Sequence, residues 1–305
     1  MIGNHTCSNM KVITYWEGPQ PLLIQILLKI MEMHSIYSPR TSEEISFKCI
    51  NIDEFLADKN GTYCDYFTNL SAASQADIVR VEYIYKNGGI WLDSDTLVME
   101  PINTLTDILK LKNGFFVTSL GRKGTKICNG VFGSRAGTKL FEEWQNLIDY
   151  YIMKKTQPTH GDFGFRCLGY LIAEHRSLFN DYIIFDGQRT MFPVAWFETK
   201  EIFLKDTPRS NPKIERDFQP VIILVNEVYK NYRRLPQKPG EGCTLDYYIQ
   251  LSLLNLLEPE KTAKKTTRDA QDYIQFDKNI LHKMARATFK FQQYKDSTLE
   301  TNKDN

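Results

Sequence analysis

The sequence predicts an α/β fold with a mostly parallel central sheet flanked by helices. Three observations carry that prediction. Short apolar bursts alternate with longer stretches of helical period, the order that feeds parallel strands. Gly and Pro punctuate the joints. An acidic pair, Asp93-Ser94-Asp95, directly follows one apolar burst. Open α/β sheets take their ligands outside the carboxyl ends of strands.

The elements follow in order. Residues 11–16, KVITYW, read as a first strand, closed off by Gly18, Pro19 and Pro21. Residues 22–33, LLIQILLKIMEM, are apolar almost all round and read as a well-buried helix. Residues 47–52, FKCINI, give the next strand and complete a β-α-β unit. Ser71 is a natural N-cap for a helix over 72–87, because its hydroxyl can accept a free N–H of the first turn. Ala73, Ala76, Val79 and Tyr83 recur at three- and four-residue spacing as its expected buried stripe. Asn87-Gly88-Gly89 stops that helix, since glycine accepts the left-handed backbone of a C-terminal cap. Residues 90–92 are then a central strand.

Further strands are expected at 114–119, 130–133, 182–185 and 221–225, and helices at 139–154 and 165–175. The stretch 205–219 reads as a loop. From Glu258 the chain turns polar and basic. Residues 1–257 are expected to form the main domain and 258–305 an appended helical extension with a charged tail.

Bulk properties exclude several classes. With 38 basic and 37 acidic residues the net charge is +1, which argues against nucleic acid or a membrane surface as a bulk partner. The run PLLIQILLKIM is too short to span a bilayer, so no transmembrane segment is expected. The six cysteines form no C-x-x-C pair and read as reduced thiols. MIGNHTCSNMK lacks the apolar stretch of a secretion signal, and a cytoplasmic protein is expected.

Asp93 and Asp95 are the candidate chemistry. Two carboxylates behind a buried strand repel one another and lose solvation, and a hard divalent cation such as Mn²⁺ or Mg²⁺ relieves both costs. In a regular strand residues i and i+2 lie about 7 Å apart. The pair is therefore expected in the turn after the strand, one Asp on the metal and the other on a ribose hydroxyl or a water. The competing reading is a turn cap facing solvent. Asp77 and Arg80 lie three apart and share a helix face, as a ligand grip or as a plain helix ion pair.

Together, NLSAASQADIVRVEYIYKNGGIWLDSD resembles the sugar-binding region with a DXD motif of retaining GT-A glycosyltransferases. That region is shared by yeast-type α-mannosyltransferases, capsular polysaccharide glycosyltransferases and clostridial glucosylating toxins. The resemblance covers roughly residues 11–230 with long gaps. It implies a GT-A, Rossmann-like fold and a metal-dependent transfer of sugar from a nucleotide sugar, UDP-linked or alternatively GDP-linked, to a carbohydrate or glycoprotein acceptor. It also implies retention at the anomeric carbon. Asp93 and Asp95 match the metal-binding pair, Asp93 also touching nucleotide. Asp77 and Arg80 match the residues that hold the donor sugar. Trp16 matches the aromatic stacked on the base, with Tyr15 beside it. Asn129 looks like the asparagine lining the sugar pocket.

In related folds a residue near His160-Gly161-Asp162-Phe163-Gly164 reaches the reacting face of the sugar, which makes Asp162 a catalytic candidate beside Asn129. Helix capping is the plainer role for Asp162. A late strand-end loop completes the metal and pyrophosphate shell in the family. Here that places Asn226 or Glu227 on metal and Lys230 on phosphate, although the histidine or tryptophan of the family's loop is absent.

Two other classes compete. Leu92-Asp93-Ser94-Asp95-Thr96 also matches the nucleophile motif of haloacid-dehalogenase-like phosphatases, with Asp93 attacking phosphate. That motif belongs on a first strand, and here a strand, a helix, another strand and a further helix precede it. The third class is a sugar-binding protein without turnover.

Overall fold

The computed structural model describes residues 10–36, 45–121, 124–154, 158–159, 161–205, 219–232 and 242–257. The expected extension at 258–305 and most of the expected loop at 205–219 lie outside them. In chain order the elements are β1 (Lys11–Tyr15), α1 (Leu22–Ile36), β2 (Ser46–Ile50), α2 (Ile52–Leu56), α3 (Gly61–Thr68), α4 (Ala72–Asn87), β3 (Gly89–Leu92) and β4 (Thr96–Val98). There follow α5 (Asn103–Leu111), β5 (Gly114–Gly121), β6 (Gly124–Ser134) and α6 (Lys139–Met153). After a π-helical turn (Asp162–Arg166) come α7 (Cys167–Glu174), β7 (Tyr182–Phe185), α8 (Thr199–Phe203), β8 (Val221–Ile223), α9 (Asn226–Tyr229) and α10 (Thr244–Leu257).

Six strands form the central sheet in the order β2-β1-β3-β6-β5-β7. The β1–β2, β1–β3 and β5–β7 pairs are parallel, and β6 runs against both its neighbours. The sheet is mostly parallel, as the β-α-β order predicts. Alternation along the strands fixes which face each side chain takes. Val12, Ile90, Leu92, Phe115 and Val117 enter one apolar layer with α1, β4, β8 and α10. Ile13, Tyr15, Trp91, Phe116 and Phe132 enter the other with α4, α6 and α7. Each such buried side chain contributes about 1.5–3 kcal/mol, so a one-residue slip would be prohibitive.

Helix α4 starts and stops as its sequence directs. The Ser71 hydroxyl accepts the Ser74 N–H at 3.3 Å. Gly88 has φ 68° and Gly89 φ 121°, and a Cβ on Gly89 would sit 2.5 Å from the Lys11 carbonyl oxygen. The expected buried stripe holds at Val79 and is corrected at its other positions. Ala73 is exposed and Ala76 and Tyr83 are half-buried, while Ser74, Ile78, Val81 and Ile84 are buried with Asp77 and Arg80. The helix is covered on two sides, by the sheet and by α6 with the π-helical turn. It can therefore bury a charged pair that periodicity assigns to solvent.

Three further differences have local causes. The expected strand at 221–225 is only β8, and it joins β4 in a separate antiparallel ribbon. The expected helix at 165–175 opens with the π-helical turn, where Gly164 leaves helical geometry at φ −89°, ψ −110°. The expected strand at 130–133 is part of the long β6. Helix α10 covers the ribbon. His34 Nε2 donates to Ser252 Oγ at 3.0 Å, and that hydroxyl donates to the Val98 carbonyl at 2.5 Å.

Candidate functional site

The site is built where β3 ends, between α4 and β6. β6 makes it possible through a bulge. Phe116 faces Phe132, yet Val117 faces Cys128, so residues 129–131 stand outside the register with β5. A bulge re-aims side chains and local backbone. Here it brings the Gly130 carbonyl to the Asp93 N–H at 2.7 Å. Gly130 leaves room for the carboxylate, because a Cβ would lie 2.6 Å from Asp93 Oδ2 and force it to move.

Arg80 is the hub. It is 4% exposed, and its guanidinium lies 3.0 Å from Asp93 Oδ1 and 3.3 Å from Asp77 Oδ1. Its Nη1 donates to the Asn129 carbonyl and its Nε to the Ala76 carbonyl at 3.1 Å. It also rests 5.0 Å over the Trp91 ring. The Asn129 amide donates to Asp77 Oδ1 at 2.6 Å. Trp91 Nε1 donates to Asp93 Oδ1 at 2.8 Å. The sequence-predicted Asp77, Arg80, Asp93 and Asn129 thus form one network. Gly164 closes it from the π-helical turn, since a Cβ there would fall 2.0 Å from Asn129 Nδ2 and 2.8 Å from Asp77 Oδ2.

Asp95 stands one turn on, with the Thr96 N–H bonded to the Asp93 carbonyl at 2.9 Å. It is held from far along the chain. Asp95 Oδ2 accepts the Asn226 N–H at 2.7 Å, and its carbonyl accepts the Leu224 N–H at 3.1 Å. Burial raises the Asp93 carboxyl above its ordinary range despite Arg80. Burial, with the charge of Asp93, pushes Asp95 up to about 7. Within this cluster three carboxylates face one guanidinium. Asp93 still leaves 32% of its side chain open, so a cation or ligand can reach it.

The remaining candidates are placed differently. Trp16 is half-buried at the end of β1, its Nε1 donating to the Gly18 carbonyl at 3.0 Å. Tyr15 is buried, and its hydroxyl donates to Gln75 Oε1 at 3.0 Å. Asp162 is bound by the Thr159 N–H at 2.6 Å and by Arg166. Burial works against its charge, but these bonds win and its carboxyl sits below the usual range. Its recorded bonds are those of a local anchor. Asn226 meets Asp95 through its backbone N–H. Lys230 pairs with Glu227 at 2.5 Å on the exposed end of α9. Sequence reasoning missed Gly130 and Gly164, whose signal was small size next to Asn129 and Asp162. As a phosphatase nucleophile Asp93 is not favoured: Arg80 and Trp91 both hold its Oδ1.

Residues 19–187, more than half of the chain, match the family described as capsular polysaccharide synthesis protein. The chain belongs to that family. No curated protein gives a significant match. Among solved structures, the chain resembles the glycosyltransferase GlyE of Streptococcus pneumoniae TIGR4 at 13% identity and a TM-score of 0.44, covering 85% of this chain. It spans 64% of that GlyE chain. A second likeness is to a glycosyltransferase involved in glycosylation of the PBCV-1 major capsid, at 11% identity and a TM-score of 0.37, over 63% of this chain and 89% of that one. The bifunctional WbbM is a third, at 11% identity and 0.39, over 87% and 53%. Among the described residues no helix is long and apolar enough to cross a membrane.

Proposed function

We propose that the chain is a metal-dependent glycosyltransferase of the GT-A type. It moves a sugar from a nucleotide sugar, UDP-linked in the first instance and GDP-linked as the alternative, to a hydroxyl of a glycan or glycoprotein. The observation that carries this reading is the network of buried Asp77 and Arg80 with half-buried Asn129 and Asp93, beside the raised carboxyl of Asp95. It presents fixed donors and acceptors next to surplus negative charge.

Mn²⁺ or Mg²⁺ fits the donor set, because hard oxygens are crowded there, burial raises both aspartates and the charge of Asp93 adds to the rise at Asp95. Among the described residues no three His, Cys, Asp or Glu side chains gather around one point. One or two carboxylates with substrate phosphate and water are a common Mg²⁺ shell. Asp93 and Asp95 would hold the ion, which when bound supplies charge neutralisation for the departing diphosphate.

The chain's own residues do the rest. Asp77 accepts from sugar hydroxyls and Arg80 donates to them, both held rigid by burial. Asn129 is oriented by Asp77 to line the sugar. Trp16 offers its indole face to the base beside Tyr15, and Lys230 is assigned to phosphate. Asp162 shapes the turn behind Asn129. The bond from the anomeric carbon to diphosphate oxygen breaks, and the acceptor oxygen bonds to that carbon on the same face. The acceptor proton passes to the leaving phosphate oxygen, so retention needs no covalent carboxylate.

A screen of UDP- and GDP-sugars for Mn²⁺-dependent release of nucleoside diphosphate tests the reading. Release with at least one donor, lost in excess chelator, is expected. Full activity in chelator, or phosphate trapped on Asp93 from a phosphomonoester, would overturn it.

A further inference from the structure

Trp91 is 1% exposed and carries a single donor, its indole N–H. That N–H goes to Asp93 Oδ1 at 2.8 Å. Arg80 Nη2 lies 3.0 Å from the same oxygen. A carboxylate oxygen has two lone pairs, so the protein itself engages Oδ1. Among the described residues no hydrogen bond reaches Oδ2. Oδ2 lies against Gly130, where an added Cβ would stand 2.6 Å away.

The sheet builds this division into the site. Trp91 faces Phe132 in the β3–β6 register and Ile13 in the β1–β3 register, and all three enter the same apolar layer. The indole is therefore held at the end of its strand by packing. Its ring lies 5.0 Å from the Arg80 guanidinium, which ties the two groups on Oδ1 to each other. The Asp93 N–H is fixed by the Gly130 carbonyl at 2.7 Å. With its backbone and one oxygen pinned, Asp93 has Oδ2 to offer a ligand. Asp95 is engaged in a similar way, its Oδ2 accepting the Asn226 N–H at 2.7 Å. Neither aspartate has both oxygens clear to chelate one ion.

We propose that Trp91 is a positioning residue which, with Arg80, restricts Asp93 to one-oxygen contact with the cation through Oδ2, and that the site thereby selects a small octahedral ion over a larger one. This rests on the metal-dependent reading above. Mg²⁺ and Mn²⁺ suit octahedral oxygen shells, and Mg²⁺ takes one or two carboxylates beside phosphate and water. Ca²⁺ takes more oxygens and accepts both oxygens of one carboxylate. An Asp93 locked to one oxygen serves the first kind of ion and under-coordinates the second.

The full chain is titrated with Mn²⁺ and with Ca²⁺ by calorimetry, each with UDP or GDP present and read against the same mixture without protein. Wild type should prefer Mn²⁺. Trp91→Phe keeps a ring beneath Arg80 and removes the indole N–H. Oδ1 is then freer to join Oδ2 on the larger ion. The preference for Mn²⁺ over Ca²⁺ should fall about tenfold, the worth of one hydrogen bond to a charged acceptor. A tryptophan with a merely structural role would loosen both ions alike, and an unchanged preference would overturn the proposal. Gly130→Ala tests Oδ2 with Trp91 in place, and decides the matter if the Trp91 variant does not fold. Gly130 lies outside the left-handed region, so the added methyl acts through its contact with the carboxylate. Mn²⁺ affinity should fall at least about tenfold, with the aromatic near-UV circular dichroism of wild type retained. Undiminished Mn²⁺ binding in Gly130→Ala would also overturn the proposal. Wild type that binds Mn²⁺ without preference over Ca²⁺ overturns it and leaves the metal-dependent reading standing. Wild type that binds neither ion with either nucleotide overturns that reading too.

Discussion

The side-chain amide of Asn129 donates to Asp77 Oδ1 at 2.6 Å, joining the bulge of β6 to the middle of α4. The two residues are 52 positions apart in the chain. Their bond converts a lone helix carboxylate into part of a preorganised pocket wall, with Arg80 gripping both from the same helix.

Arg80→Ala should cost about 3–5 kcal/mol of stability, because the buried Asp77 would lose its cation and Asp93 one of the two groups that hold its Oδ1. Urea denaturation measures this. An exposed helix ion pair would lose under ~1 kcal/mol. A drop that small would remove Arg80 from its place as hub. The milder Asp77→Asn, with the fold retained, should weaken an intact sugar nucleotide far more than the free nucleoside diphosphate, as calorimetry would read.

Gly164→Ala introduces a methyl 2.0 Å from Asn129 Nδ2. Asn129 must then leave Asp77 or the turn must shift. Donor-sugar affinity is expected to fall at least about tenfold, since a hydrogen bond to a charged acceptor carries roughly 1.5–3 kcal/mol. Free nucleoside diphosphate should bind as before. Equal loss for both ligands would mean that the turn supports the whole site.

Asp95→Asn should abolish transfer while leaving the fold intact. Its pH signature is specific. The folded-state value of about 7 lies above the ordinary 3.8, so the folded protein holds the extra proton between them. The Asp95 contribution to stability should therefore fall as pH rises from about 4 to about 7 and flatten above, and it is read as the difference between wild type and variant. The variant lacks that slope, and Mn²⁺ should restore wild-type stability at high pH. Thermal melts across pH, with and without the ion, check this. Wild type and variant with the same pH profile would contradict the raised carboxyl.

His34 has the opposite dependence. Burial lowers its value to about 4, although the bond to Ser252 favours the charged form. The neutral ring suits the geometry, with Nε2–H on Ser252 and Nδ1 buried without a hydrogen-bond partner among the described residues. The unfolded chain takes up the proton first, near 6.5. The His34 contribution is full above that pH and is lost as pH falls toward 4, by on the order of 3 kcal/mol, opposing that of Asp95. His34→Gln should flatten this acid limb in equilibrium denaturation.

The sequence made the frame of the site readable where the signals were local. Ser71 and Gly88-Gly89 bound α4 as capping chemistry demands. The three-residue spacing of Asp77 and Arg80 placed them on one face. What stayed hidden depends on distant pairing. The place of Asn129 follows from a register shift that no local pattern encodes. Asp95 takes its hydrogen bonds from residues about 130 positions away. The stripe of α4 was misread because periodicity treats buried charge as solvent-facing.

The Asp95–Asn226 bond divides the site in a second sense. The family match ends at residue 187, yet both backbone donors to Asp95 come from Leu224 and Asn226. The matched portion therefore carries the whole Asp77–Arg80–Asn129–Asp93 network, while the backbone donors to Asp95 lie beyond it. Exchanging the stretch that includes β8 and α9 between kindred chains would retune Asp95 while leaving every bond among Asp77, Arg80, Asn129 and Asp93 in place. The electrostatics of Asp95 thus depend on a stretch of chain separate from the one that builds the rest of the network.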